Sequence, residues 1–307
     1  MTIRDLSGKT IDMSNDTPND TSKELVRLSK IMADQGICSR READLCIERG
    51  WVKVDGLIIN QLGTKVSPKA EITLMEEAYQ WIKSKLTVMI NKPVGYVSGQ
   101  AEDNYKPASV LLTESNQVRS PGDSAPPSRL QMMSLAPAGR LDIDSWGLLI
   151  LTQDGRVARS IISPDSRMKK EYSVWVEGKI TPAKIEKLCH GLSLDDKELL
   201  PAEVEHIKEN QLRFVLQEGK KRQIRRMCEL VDLQVTGLLR TRVGPILLGN
   251  LRPNQWRYLS RKEIFALLKN EDEKSNAFSK KRPQGVQKAY RRSSPPPQSA
   301  PRPLKKF

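Results

Sequence analysis

The sequence predicts an α+β protein of two folded units with polar tails at both ends. Three observations carry this. The chain has 307 residues, more than one ordinary domain usually holds. Its helical and strand-like segments do not alternate as βαβ units, which argues for a mixed, largely antiparallel sheet. Two stretches, 1–24 and 274–307, carry too little apolar matter to offset their ordering entropy and are expected to be disordered tails.

The first folded unit is expected over 25–72. Leu25, Leu28 and Met32 recur at the spacing of one helix face, with Val26 and Ile31 beside them, and Gly36 supplies a stop. Ser39-Arg40-Arg41-Glu42 has capping-box form, so a second helix starts at Ser39 and buries Ala43, Cys46 and Ile47. Trp51–Val54 and Leu57–Ile59 flank Asp55-Gly56, a strong hairpin signal.

The second unit is expected over 84–268. Val88-Met89-Ile90 reads as a strand that ends at Pro93. Residues 99–133 read as an irregular excursion with one short helix near 108–112, and 115–130 as a flexible insertion. Leu148–Leu151 is a strand, and Asp154-Gly155 reads as the turn that closes it. Residues 169–178 alternate Tyr172, Val174 and Val176 on one face, and 211–219 is another strand. Residues 220–231 become a helix burying Ile224, Met227, Cys228 and Val231. A last strand is expected over 240–251 and a last helix over Lys262–Lys269.

Composition then narrows the function. The chain carries 51 Lys and Arg against 37 Asp and Glu, a net charge of +14. Such a balance favours a polyanion partner, most simply nucleic acid. Ten of the positive charges lie in 274–307, which has no Asp or Glu, so residues 1–273 carry only +4. No run nears the ~18 apolar residues of a membrane span, and no apolar segment opens the chain as a secretory signal would. Cys38, Cys46, Cys189 and Cys228 form no CxxC pair, and His190 and His206 are the only histidines. A disulfide framework and a zinc site are therefore not expected, and a reducing cytoplasm fits. No glycine-rich loop precedes a helix, so no nucleotide cofactor is expected.

Among chemistry-bearing residues, Asp142 stands out, just before a buried strand and after Gly139-Arg140-Leu141. Such a carboxylate suits a nucleophile or general base, although it could equally be a partner for Arg140. Asp144 competes as a turn cap through Ser145. The basic run Lys220, Lys221, Arg222, Arg225 and Arg226 puts five cations within seven residues and suits phosphate contact. Arg40 and Arg41 in the first turn of a helix suit phosphate as well.

Resemblance adds detail. The stretch RLSKIMADQGICSRREADLCIERGWVKVDG resembles an S4-type RNA-binding domain. The ordered set NKPVG (91–95), GRLDIDSWGLLILTQDG (139–155), KEY (170–172), RQIRRM (222–227) and WRYL (256–259) resembles the bacterial pseudouridine synthases that comprise the small-subunit enzyme A and the large-subunit enzymes B, E and F, with F nearest in appearance. The similarity runs over about 25–268. It implies an isomerase without cofactor or metal that converts a uridine to pseudouridine, most simply in 23S rRNA and otherwise in a tRNA anticodon stem-loop. It further implies a cytoplasmic monomer with RNA as partner and no membrane. It assigns Asp142 as nucleophile, Tyr172 as the ring that stacks on the target base, and Arg225 as the cation paired with Asp142. Arg140 would open the RNA helix or hold phosphate. From Asn91 to Gly139 the chain is 48 positions long, more than is usual in the family, and the excess lies near 115–130.

Two rival readings stand beside this one. A non-catalytic S4-type ribosome-assembly factor would need no Asp142. A glycosidase would use Asp142 and Asp144 as paired acids on one strand face, but 5% aromatic residues leave few sugar platforms.

Overall fold

The computed structural model describes residues 25–101, 103–120, 123–164 and 166–269. The expected tails, 1–24 and 274–307, lie outside the described residues. The chain divides into two compact units between Ala78 and Tyr79.

In the first unit, helices α1 (Leu28–Asp34) and α2 (Arg40–Glu48) pack together, followed by strands β1 (Val52–Val54), β2 (Leu57–Ile59) and β3 (Ile72–Leu74). The sheet order is β2-β1-β3, all antiparallel. Leu28, Met32, Ala43, Cys46, Ile47 and Val52 form its interior. The capping box is present in both directions: Ser39 N–H donates to Glu42 Oε2 (2.7 Å) and Glu42 N–H donates to Ser39 Oγ (3.4 Å). Asp55 and Gly56 both take positive φ (48° and 82°), as a type I′ turn demands. One expectation shifts. Leu25 is 55% exposed and the helix begins only at Leu28, because Val26–Arg27 pairs instead with Lys65–Val66. Helix α3 (Glu76–Lys83) carries the boundary between units.

The second unit is built on one twisted sheet. Its strands are β4 (Thr87–Lys92), β5 (Trp146–Thr152), β6 (Lys170–Glu177), β7 (Glu203–Lys208), β8 (Gln211–Leu216), β9 (Gln234–Val243) and β10 (Trp256–Tyr258). They lie in the order β7-β8-β6-β9-β5-β4-β10. Only the β5–β9 pairing is parallel, so the sheet is mixed and largely antiparallel. The alternation of β6 places Lys170, Tyr172, Val174 and Val176 inward on one face. That face also carries Ile90, Leu149, Phe214, Leu238 and Trp256, under helices α6 (Pro182–Cys189) and α7 (Gln223–Glu229). The opposite face carries Met89, Leu148, Ile150 and Leu239, under helices α5 (Gly155–Ile162) and α8 (Arg261–Leu268).

Several expectations are corrected here. Asp154 does not close a hairpin. Its carboxylate accepts from Arg156 N–H (2.9 Å) and caps α5, since Val157 and Ile161 give the following turns a face to bury. The expected strand over 240–251 begins at Gln234 and folds back at Gly244, so that Ile246–Leu247 pairs with Arg242–Val243. Part of the 115–130 stretch, read as a flexible insertion, is tied to β10: Val118 N–H donates to Trp256 O (2.8 Å) and Tyr258 O–H to Ala125 O (2.8 Å). Helix α4 (Arg129–Met133) starts at its end on a Ser128-x-x-Gln131 capping box. The four cysteines are free thiols. Burial pushes the Cys228 thiol up to about 12.

Candidate active site

The loop bearing Asp142 enters from Gly139, whose φ of +88° lets the chain turn toward β5. Its backbone is held at every step. The Arg140 carbonyl accepts from Arg240 Nη1 (3.2 Å) and the Leu141 carbonyl from Ser98 Oγ (2.8 Å). The Asp142 carbonyl accepts from Ser145 N–H (3.1 Å) and the Ile143 carbonyl from Gly95 N–H (2.9 Å). The Asp144 carbonyl accepts from Arg225 Nη2 (3.0 Å). Ser98 Oγ also accepts from Leu141 N–H (2.8 Å). Five successive carbonyls are thus held by donors from the 95–98 loop, β9, α7 and the turn into β5. The half-buried Asp142 carboxylate itself makes no hydrogen bond or ion pair among the described residues.

Arg225 is 8% exposed and projects from α7. The expected Arg225–Asp142 pair is not formed. Arg225 Nη2 lies 3.2 Å from Asp144 Oδ1, and Nη1 donates to Val235 O (3.1 Å). Arg222 approaches Asp144 from the other side, Nη2 to Oδ2 at 3.0 Å, from a left-handed backbone (φ 52°) at the head of α7. Asp144 takes both cations because its carboxylate and its carbonyl face α7 together. Residues 142–145 form a turn rather than a strand, so Asp142 and Asp144 are not paired on one strand face as the glycosidase reading required.

Buried cations surround this loop, and three of them, Lys92, Arg240 and Lys170, were not singled out from the sequence. Lys92, at the end of the wholly buried β4, is 0% exposed. Its Nζ donates to Pro93 O and Tyr96 O, both at 2.9 Å. Burial lowers it to about 7, against the opposing pull of Asp144, with Arg240 lowering it further and Asp142 raising it. Arg240, 2% exposed, donates through Nε to Leu148 O (2.7 Å) and through Nη1 to Arg140 O, and its Nη2 has no partner among the described residues. Lys170 donates to Met168 O (3.2 Å), and burial, then Arg240, lowers it to about 8. The one available signal was a charged residue at the end of an otherwise apolar strand. Ser98 carried no signal at all.

The remaining expected residues are distributed unevenly. Tyr172 is buried on the inner face of β6, opposite Phe214 on β8 and Arg240 on β9. Arg140 and Lys221 are exposed. Lys220 Nζ donates to Glu198 O (3.2 Å), and Arg226 grips Asp195 (2.6 and 2.9 Å), so these two are engaged with the protein itself. Arg40 and Arg41 are exposed on the first turn of α2. Among the described residues no group of three or more His, Cys, Asp or Glu could hold a metal ion, and no helix is long and apolar enough to cross a membrane.

Comparison with known proteins gives this arrangement its context. A family model described as RNA pseudouridylate synthase matches residues 86–230, and an S4 domain model matches 26–72. An RNA pseudouridine synthase of Aquifex aeolicus is 32% identical over 250 residues, spanning 80% of this chain and 94% of that one. The chain belongs to the RNA pseudouridine synthase family. It is an isomerase with an S4-type RNA-binding domain ahead of its pseudouridine synthase domain. A relative in Mycobacterium leprae is 34% identical over 263 residues, 83% of this chain and 97% of that one. The ribosomal small subunit pseudouridine synthase A of Vibrio parahaemolyticus is 31% identical over 244 residues, 78% of this chain and 98% of that one. A crystal structure of a pseudouridylate synthase aligns with a TM-score of 0.54 at 26% identity, over 79% of this chain and 99% of that one.

Proposed function

We propose that this pseudouridine synthase isomerises one uridine of 23S rRNA in the cytoplasm, with Asp142 as its catalytic carboxylate. The observation that carries the assignment of Asp142 is its backbone: five consecutive carbonyls held in place around a carboxylate that makes no bond of its own among the described residues. A catalytic group must meet its target in a fixed geometry, and pre-ordered backbone supplies that.

The reaction breaks the N1–C1′ bond, turns the uracil and joins C5 to C1′, with a proton leaving C5 and one arriving at N1. Asp142 either attacks C1′ or removes the C2′ proton. Tyr172 receives the face of the flipped base, which recovers ~1–3 kcal/mol of the cost of unstacking. Arg225 acts through Asp144 rather than on Asp142 directly. Arg140 and Lys221 offer cations to the RNA backbone. Lys220, Arg222 and Arg226 join them only by releasing Glu198, Asp144 and Asp195. On the first domain Arg40 and Arg41 bind phosphate. The basic 274–307 tail adds affinity.

The resemblance of the ordered motifs to the large-subunit enzymes supports 23S rRNA. The Vibrio relative, named for the small subunit, favours a second reading in which the target is small-subunit rRNA. Pseudouridine mapping of total rRNA and tRNA, with and without the gene, separates them. Loss of one 23S site is the expected result. Loss of a small-subunit or tRNA site would move the assignment, and loss of none would remove it.

A further inference from the structure

We propose that Ser98 is a positioning residue that sets the geometry of the Asp142 carboxylate. This rests on the reading of Asp142 as catalytic. Ser98 is 3% exposed and stands 43 residues from Leu141 in sequence. Its hydroxyl donates to the Leu141 carbonyl and accepts from the Leu141 amide, both at 2.8 Å. One side-chain oxygen therefore satisfies both polar groups of the residue that directly precedes Asp142. Because both bonds act on one residue's backbone, they fix its orientation as well as its position.

The neighbouring supports do not duplicate it. Gly95 N–H acts on Ile143, Arg240 on Arg140 and Arg225 on Asp144. Ser98 also sits on the loop that Lys92 braces through Pro93 and Tyr96. The brace is thereby relayed across to the Asp142 loop. Losing the hydroxyl leaves a buried N–H and a buried C=O without partners, and the loop must move to find water. An error of about 1 Å in a reacting group can cost about a hundredfold in rate.

Ser98→Ala and Ser98→Thr test this in the full chain, alongside Asp142→Asn. Single-turnover rates are measured on an in vitro transcript of the RNA that the unaltered protein modifies. RNA affinity and melting are measured on the same samples. Ser98→Ala is expected to lower the rate about ten- to a hundredfold with RNA affinity within a few-fold. Ser98→Thr, which retains the oxygen, is expected to recover most of the loss. A wild-type rate for Ser98→Ala beside an inactive Asp142→Asn would overturn the role of Ser98. Equal losses for Ala and Thr, or a loss of RNA affinity that matches the loss of rate, would overturn it too. An active Asp142→Asn would instead defeat the catalytic reading beneath it.

Discussion

Arg225 holds Asp144 twice, its Nη2 lying 3.0 Å from the carbonyl and 3.2 Å from a carboxylate oxygen. The carboxylate that the motif singled out, two residues earlier, is not bound by Arg225. Asp144 is thus the joint between α7 and the loop. Asp144→Asn keeps the volume and removes the charge. Turnover should fall about tenfold, because Arg222 and Arg225 lose their shared anchor. Stability should fall by only about 1 kcal/mol, since Asp144 is partly exposed and Arg225 keeps its carbonyl partners. Denaturant titration and single-turnover kinetics on one preparation check both numbers.

Gly147 makes the parallel pairing of β5 with β9 possible. Its φ is +111°, and a Cβ there would lie 2.4 Å from the Arg240 carbonyl and 2.8 Å from its amide nitrogen. Neither atom can yield without separating the two strands. Gly147→Ala should cost about 3 kcal/mol or more. Its unfolding midpoint in denaturant should drop accordingly; an unchanged midpoint would mean the strands do not pair this closely.

Lys92 makes stability depend on pH. In the folded protein it titrates near 7, against 10.5 ordinarily. The unfolded chain keeps its proton up to the higher value. Between about 7 and 10.5 the unfolded state therefore binds more protons, and stability rises with pH. Below about 7 the penalty of the buried charge is present in full. Lys170 adds to the slope from about 8 upward. Lys92→Met should reduce the slope between pH 7 and 9 by as much as about 1.4 kcal/mol per pH unit. Unfolding free energies at three pH values measure it.

Arg40 and Arg41 are exposed on the first turn of α2. Replacing both with Ala should weaken RNA binding and reduce its logarithmic salt slope by roughly 1.5. Affinities at several salt concentrations give that slope directly, and an unchanged slope would take these arginines off the RNA.

Local signals were legible in the sequence and long-range ones were not. Ser39-x-x-Glu42 and Asp55-Gly56 act within four residues, and both formed as their chemistry requires. Asp154-Gly155 has the same dipeptide as Asp55-Gly56 but caps a helix, since it leads into an amphipathic run rather than a strand. The start of β9 runs through Gly237, a residue type that strands ordinarily avoid. The stacked rings of Trp146 and Trp175, 5.4 Å apart, explain it: a Cβ at Gly237 would come within 2.9 Å of Trp146. That Asp142 precedes a buried strand and that Tyr172 lies on the inner face of another was legible in the sequence around them. The choice of Asp144 by Arg225, 81 residues away, and the grip of Ser98 on Leu141 depend on how distant segments meet.

In the proposed reaction the Asp142 carboxylate performs the isomerisation. Its most direct test is Asp142→Asn, an almost isosteric change, supplied to cells lacking the gene and read by pseudouridine mapping of their RNA. The site restored by the unaltered protein should stay a uridine, while the purified variant binds that RNA within a few-fold of the unaltered protein. A restored pseudouridine with Asn at this position would show that the carboxylate is not the catalytic group.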